Sequence, residues 1–106
     1  MNQTTICPRF EKAVSLLSQR WYALIIYQLL NGPSRFGCIQ SSIGISGKVL
    51  SERLKELEHQ GIIKREIIPN TPVLINYSLT EKGLSLQPIL KGIEEWSQEW
   101  IEVDRG

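Results

Sequence analysis

Apolar residues recur at helical spacing in most of this chain and in β-branched runs over one short part of it. Between Pro8 and Ser18, Phe10, Ala13, Val14 and Leu17 return at intervals of three and four, which predicts a first helix with one apolar face. Trp21, Leu24, Ile25, Gln28 and Leu29, broadened by Ile26 and Leu30, predict a well-buried second helix. Asn31, Gly32 and Pro33 stop it, near residue 31. Phe36, Ile39 and Ile43 predict a short third helix with Ser34 as its N-cap, weakened by Gly37 and closed by Gly44. The segment ISGKVLSERLKELEHQG carries the strongest local signals. Ser46 caps a helix through its hydroxyl, Val49, Leu50, Leu54 and Leu57 form the buried stripe, and Gly61 stands where helices end in a left-handed residue. IIKREIIP and VLINYSLT then predict an antiparallel hairpin about a Pro-Asn-Thr-Pro turn. Thr80 caps a last helix, striped by Leu86, Ile89, Leu90, Ile93, Trp96, Ser97 and Trp100, which Pro88 kinks or restarts near its beginning.

Three helices, a capped helix with a polar outer face, a hairpin and a closing helix make up a winged helix-turn-helix. The fold class is mainly α with a small β-hairpin wing, and residues 1–106 form a single domain. SSIGIS supplies the tight link between the two helices of the motif, and the second of them can lay its early residues along base edges in a major groove. Ser46, Lys48, Ser51, Glu52 and Arg53 are the candidate readers. Ser donates or accepts, Lys and Arg reach guanine or phosphate, and Glu accepts from cytosine. In the wing, Lys64 and Arg65 lie at the base and Asn70 and Thr71 at the tip, beside the DNA backbone. Taken singly, each charged residue also fits a solvated helix face, and for Lys55, Glu56 and Glu58 that is the reading adopted.

Net charge is only +1, but its distribution is uneven. Residues 1–80 hold nine Lys/Arg against five Asp/Glu, and residues 81–106 hold three against six, so a phosphate backbone would meet the first part. The longest apolar runs are too short for a membrane span and the opening MNQTTI has no secretory pattern, so a cytoplasmic protein with no membrane partner is expected. Two cysteines, 31 positions apart, and one histidine give too few ligands at poor spacing for a structural zinc site, and no cofactor is expected. An enzyme would need a positioned nucleophile and base. Cys7 and His59 are the sole candidates, with no acidic partner or glycine-rich turn beside them, so no enzymatic activity is expected.

CPRFEKAVSLLSQRW, GPSRF, SGKVLSERLKELEHQGIIKR and NTPVLINYSLTEKG, followed by a last helix with Trp96, together resemble the HxlR family of bacterial winged-helix transcription regulators, relatives of the MarR group. The likeness runs from about Cys7 to Trp100. It implies a repressor acting on double-stranded DNA as a homodimer, joined by residues 1–18 and 84–104 through Phe10, Val14, Leu90, Ile93, Trp96 and Trp100. A core role is the alternative for Trp96 and Trp100. Two recognition helices one helical turn apart, about 34 Å, would require an inverted-repeat operator.

Family members that begin with a cysteine at this place resemble sensors of quinones, other electrophiles and oxidants, which implies that role for Cys7. The chemistry is sound in itself. With Pro8 in the first helical position, Cys7 stands at the N-cap, where open N–H groups and the helix dipole favour the thiolate and Arg9 lies near. A cysteine that merely caps the helix or packs at an interface is the alternative. Some relatives join this cysteine to a second one across the dimer, which implies a bridge from Cys7 to Cys38 as one outcome of oxidation. By its own surroundings, beside Phe36 and Ile39, Cys38 reads as a small buried hydrophobe. Tyr22, Tyr27 and Tyr77 fit aromatic packing or the lining of a pocket for a planar quinone. Two further readings keep the fold and change the function: a regulator answering a metal or small ligand, and a module that binds only protein.

Overall fold

Four buried side chains, Tyr22, Ile25, Ile26 and Leu29, make the second helix the spine about which the others pack. The computed structural model describes residues 5–103. Along it run α1 (Pro8–Ser18), α2 (Tyr22–Leu29), β1 (Ser34–Arg35), α3 (Phe36–Ile43), α4 (Gly47–His59), β2 (Ile63–Ile68), β3 (Leu74–Leu79), α5 (Glu81–Leu84) and α6 (Gln87–Trp100). The chain is therefore mostly helical with a small antiparallel sheet, the winged-helix arrangement its pattern predicts. Ile39 of α3, Leu50, Leu54 and Leu57 of α4, and Ile62, Ile63 and Leu79 at the root of the hairpin close the core against α2. Burial of these aliphatic side chains, at about 1.5–3 kcal/mol each, is the main force holding the domain together.

The punctuation works as the sequence indicates. Ser46 Oγ accepts from Val49 N–H at 3.3 Å, which satisfies one open donor of α4. Gly44 and Gly61 take φ of +69° and +75°, ending α3 and α4 in the left-handed conformation that glycine adopts without a Cβ penalty. Thr80 Oγ1 accepts from Gly83 N–H at 3.2 Å and donates to Gly61 O at 2.6 Å, so one side chain caps α5 and ties it to the end of α4.

Several boundaries differ from the sequence reading. Ser34 does not cap α3. It lies in β1, opposite Tyr77, and the sheet has three strands in the order β1-β3-β2 rather than a bare hairpin. The N-cap of α3 is Arg35, with no side-chain cap. Trp21 precedes α2 in a left-handed conformation, φ +81°, with the Arg20 guanidinium 4.7 Å from its ring centroid. The last helix, by contrast, restarts at Pro88 as its sequence indicates: α5 ends at Leu84, and Pro88, lacking an N–H, is accommodated in the first turn of α6.

The glycine of TEKG has a specific cause. A Cβ at Gly83 would stand 2.3 Å from the carbonyl oxygen of Ile62 and 3.0 Å from Leu79 Cδ2. Gly83→Ala is therefore expected to push α5 off the hairpin root and cost at least about 1–3 kcal/mol, the usual range for overpacking. Urea unfolding checks this: the midpoint should fall while the slope stays the same.

The helix α1 has no buried residue at all. The chain exposes 8172 Å², whereas a folded 12.1 kDa monomer exposes about 6,000 Å². Its radius of gyration is 16.0 Å against about 13 Å for a compact domain of this length. Helices at the two ends of the chain thus carry apolar surface that the domain itself does not cover.

Candidate functional site

The polar face of α4 is open to solvent along its N-terminal half. Leu50, Leu54 and Leu57 turn inward, so the 3.6-residue repeat turns Lys48, Glu52 and Lys55 outward, with Ser51 half-buried between them. The left-handed Gly44 and the buried Ile45 join α3 to α4 and set the angle at which α4 leaves the core. Ser46 is exposed, but its oxygen is engaged as the cap, which leaves its O–H as the group able to reach outward. Arg53 sits at the flank. Its Nη1 donates to Glu56 Oε2 at 2.5 Å, and Glu56 Oε1 accepts from the Tyr22 hydroxyl of α2, also at 2.5 Å. Glu56 is thus half-buried and doubly bonded rather than part of a solvated face, contrary to the sequence reading. Burial first, and the Glu56 hydrogen bond next, push the Tyr22 phenol up to about 12, so it remains a donor throughout the neutral range.

The wing carries Lys64 and Arg65 on β2 and Asn70 and Thr71 in the turn that follows it. Asn70 and Thr71 are exposed at the tip. Lys64 and Arg65 are both exposed, yet the alternation of β2 sends them to opposite faces. Lys64 lies with Glu66 and Ser78 along a cleft against Leu30, Pro33 and Leu84, while Arg65 shares the face of the buried Ile63. A single basic patch at the base of the wing is therefore not formed; Arg65 alone continues the face that packs on the helices.

Cys7 occupies the predicted place. It is the N-cap of α1, Pro8 follows in the first turn, and the residue is exposed. The thiol makes no capping hydrogen bond as it stands. The backbone N–H groups of Phe10 first, and Arg9 next, nevertheless favour a negative sulfur and hold its pKa below the ordinary thiol value, with a small opposing effect of desolvation. Cys38 corrects the sequence reading. It is exposed, because Phe36 and Ile39 turn toward the core and the helical repeat carries Cys38 outward.

Of the six residues expected at a subunit interface, Phe10, Val14, Ile93, Trp96 and Trp100 are exposed. Leu90 is not: at 4 % exposure it belongs to the monomer core against α2 rather than to the expected interface. Residues 1–4 and 104 of the two proposed interface segments lie outside the described residues. Ala23, Leu24, Tyr27, Leu90, Ile93 and Ser97 line an apolar groove of about 300 Å³ between α2 and α6. The Tyr27 hydroxyl donates to Glu94 there, fixing α6 on α2. None of the three tyrosines is arranged about a common pocket: Tyr22 is buried, Tyr27 bonds Glu94, and Tyr77 packs half-buried on the core. Among the described residues no group of three His, Cys, Asp or Glu could hold a metal ion, and no helix is long and apolar enough to cross a membrane.

Residues 16–105 match the family model described as HxlR-like helix-turn-helix. The uncharacterized HTH-type transcriptional regulator YvaP of Bacillus subtilis is 60% identical over 103 residues, covering 96% of this chain and 95% of the relative. The reduced form of the transcriptional regulator YodB from Bacillus subtilis superposes with a TM-score of 0.81 at 46% identity, covering 92% of this chain and 97% of that one. Quinone-bound YodB superposes with a TM-score of 0.75 at 44% identity, covering 90% and 100%.

Proposed function

This chain belongs to the HxlR-like helix-turn-helix family of transcriptional regulators, and from that premise we propose that it is a repressor which binds an inverted-repeat operator as a homodimer and is released when Cys7 is modified by quinones, other electrophiles or oxidants. The observation that carries the DNA-binding part is the open, capped α4, whose outward side chains include Lys48 and Glu52, with Ser51 half-buried beside them. Asn70 and Thr71 of the wing tip would follow the adjacent backbone, with Arg65 closer to the helices. The sensing part is supported by the exposed N-cap thiol with its lowered pKa and by the similarity to a regulator whose structure has been solved with quinone bound. The homodimer is supported by the uncovered α1 and by Ile93, Trp96 and Trp100 on α6.

DNA binding is tested by fluorescence anisotropy with an operator duplex over a salt series. Lys48→Ala is expected to lower affinity about tenfold, within the roughly 1–3 kcal/mol of a base or phosphate contact, without shifting the unfolding midpoint. Arg53→Ala is expected to act in the same direction. Affinity should also fall steeply with salt through counterion release. A flat salt response, with both variants binding as the wild type does, would instead identify a module that binds protein.

A further inference from the structure

Resting on the DNA-binding reading of α4, we propose that Glu56, braced by Tyr22, is a positioning residue that holds Arg53 in one pose and thereby makes Arg53 a specificity-determining side chain of the recognition helix.

An Arg–Glu pair three residues apart on a helix surface ordinarily contributes little, because both side chains are free and water competes. This pair has a third member from another helix. Tyr22 lies 34 residues earlier, is 4 % exposed, and donates to the carboxylate oxygen that Arg53 does not use. Glu56 is therefore held at both oxygens, at Oε1 by a core phenol and at Oε2 by the guanidinium. Its carboxylate cannot follow Arg53 outward without breaking the bond to Tyr22. Arg53 is 30% exposed in its side chain and uses only Nη1 toward Glu56, so its remaining N–H donors are not engaged by that carboxylate while the bond restricts where the guanidinium can go.

A fixed guanidinium and a free one do different things on DNA. A free arginine seeks the nearest phosphate and adds affinity for every sequence alike, whereas a tethered guanidinium rewards a base edge within the reach its tether allows. The ordering entropy has already been lost before the complex forms, which favours the matched contact. Glu56 also brings a negative charge close to phosphates and so lowers general affinity. Its effect is to trade affinity for discrimination.

The test uses the full chain, with the duplex selected by wild-type protein from a random-sequence pool and a scrambled duplex of the same composition. Glu56→Gln is expected to tighten binding to the scrambled duplex about three- to tenfold, to reduce the ratio of selected to scrambled affinity about tenfold, and to steepen the log–log salt slope by about 0.9 as one further phosphate contact forms. Tyr22→Phe keeps the ring in the core and should shift both readouts the same way by less. In an Arg53→Ala background, Glu56→Gln should leave the ratio unchanged, which separates release of Arg53 from loss of one negative charge. A merely structural role for Glu56 would move the unfolding midpoint and leave the salt slope alone. Glu56→Gln with wild-type ratio and slope, or with the same changes in the Arg53→Ala background, overturns the clamp while the DNA-binding reading stands. Wild-type protein that selects no duplex overturns both.

Discussion

Replacing Ile93 and Trp96 together by glutamate is expected to convert the proposed dimer into a folded monomer and to weaken operator binding by about 100-fold or more. The surface arithmetic sets the first half of that expectation. The chain exposes 8172 Å², about 2,000 Å² above the norm for its mass, and a stable interface needs roughly 600–1,000 Å² from each partner. The excess is ample for one protomer's share, and α1 and α6 carry exposed apolar side chains that contribute to it: Phe10 and Val14 on one helix, Ile93, Trp96 and Trp100 on the other. Burying a carboxylate in that contact would cost several kcal/mol per charge. The monomer itself should survive, because Ile93 and Trp96 are 52 % and 60 % exposed and outside the core. The second half follows from valency. Two heads on one operator bind with an effective concentration that raises affinity by about 10²–10⁴ over one head alone, and dissociation forfeits it. Light scattering at micromolar concentration should give half the wild-type mass, with an unchanged circular dichroism spectrum. A double variant that stays dimeric would place the interface elsewhere. Leu90→Glu provides the contrast: it should unfold the chain, since Leu90 packs in the core.

How much of this was legible in the residues depends on whether a signal was local. The caps at Ser46 and Thr80, the left-handed Gly44 and Gly61, the position of Cys7 before Pro8 and the antiparallel hairpin all rest on nearest-neighbour chemistry, and each is found in place. What failed needed knowledge of distant partners. Two residues of β1 acquire strand character only because β3 lies beside them, and Ser34 looked like a cap because nothing nearby announces Tyr77. One apolar stripe on α6 serves two surfaces. Leu90 turns to α2 while Ile93 and Trp96 turn to solvent, a division set by where α2 lies and not by spacing. Glu56 reads as part of a solvated face in the sequence because its brace, Tyr22, is 34 residues away. Lys64 and Arg65 do lie at the root of β2, and alternation along a strand already indicates that these neighbours point to opposite faces. The exposure of Cys38 was in reach too, since Phe36 and Ile39 are three apart and Cys38 lies off the line between them.

Cys7→Ser is the other change with a large expected effect, here the complete loss of a response. Serine is a good N-cap, so α1 should keep its start, and operator affinity should stay within about twofold of wild type. Wild-type protein should be released from the operator by a benzoquinone, and the variant should remain bound at the concentration that fully releases wild type. The thiolate sulfur adds to a ring carbon, forming an S–C bond. The sulfur lone pair supplies the two electrons that reduce the quinone; the attacked carbon then loses its hydrogen as a proton, one oxygen taking up that proton and the other a proton from solvent, so the product is a hydroquinone thioether and no separate oxidant is needed. One adduct per chain, located on Cys7, should appear in the intact mass. Because the Phe10 and Arg9 amides hold the Cys7 pKa below the ordinary thiol value, the thiolate is present from a lower pH upward; the alkylation rate should therefore reach its half-maximum at lower pH than for a free cysteine. Lowering the pH through that midpoint should slow release in parallel. Diamide separates the two routes open to an exposed Cys7 and an exposed Cys38. A disulfide between subunits doubles the apparent mass on a non-reducing gel and disappears in Cys38→Ser, whereas the quinone adduct and its release of DNA require only Cys7 and persist in that variant. If Cys7→Ser were released by quinone as readily as wild type, the sensing sulfur would have to be Cys38, and α1 would lose its part in the signal.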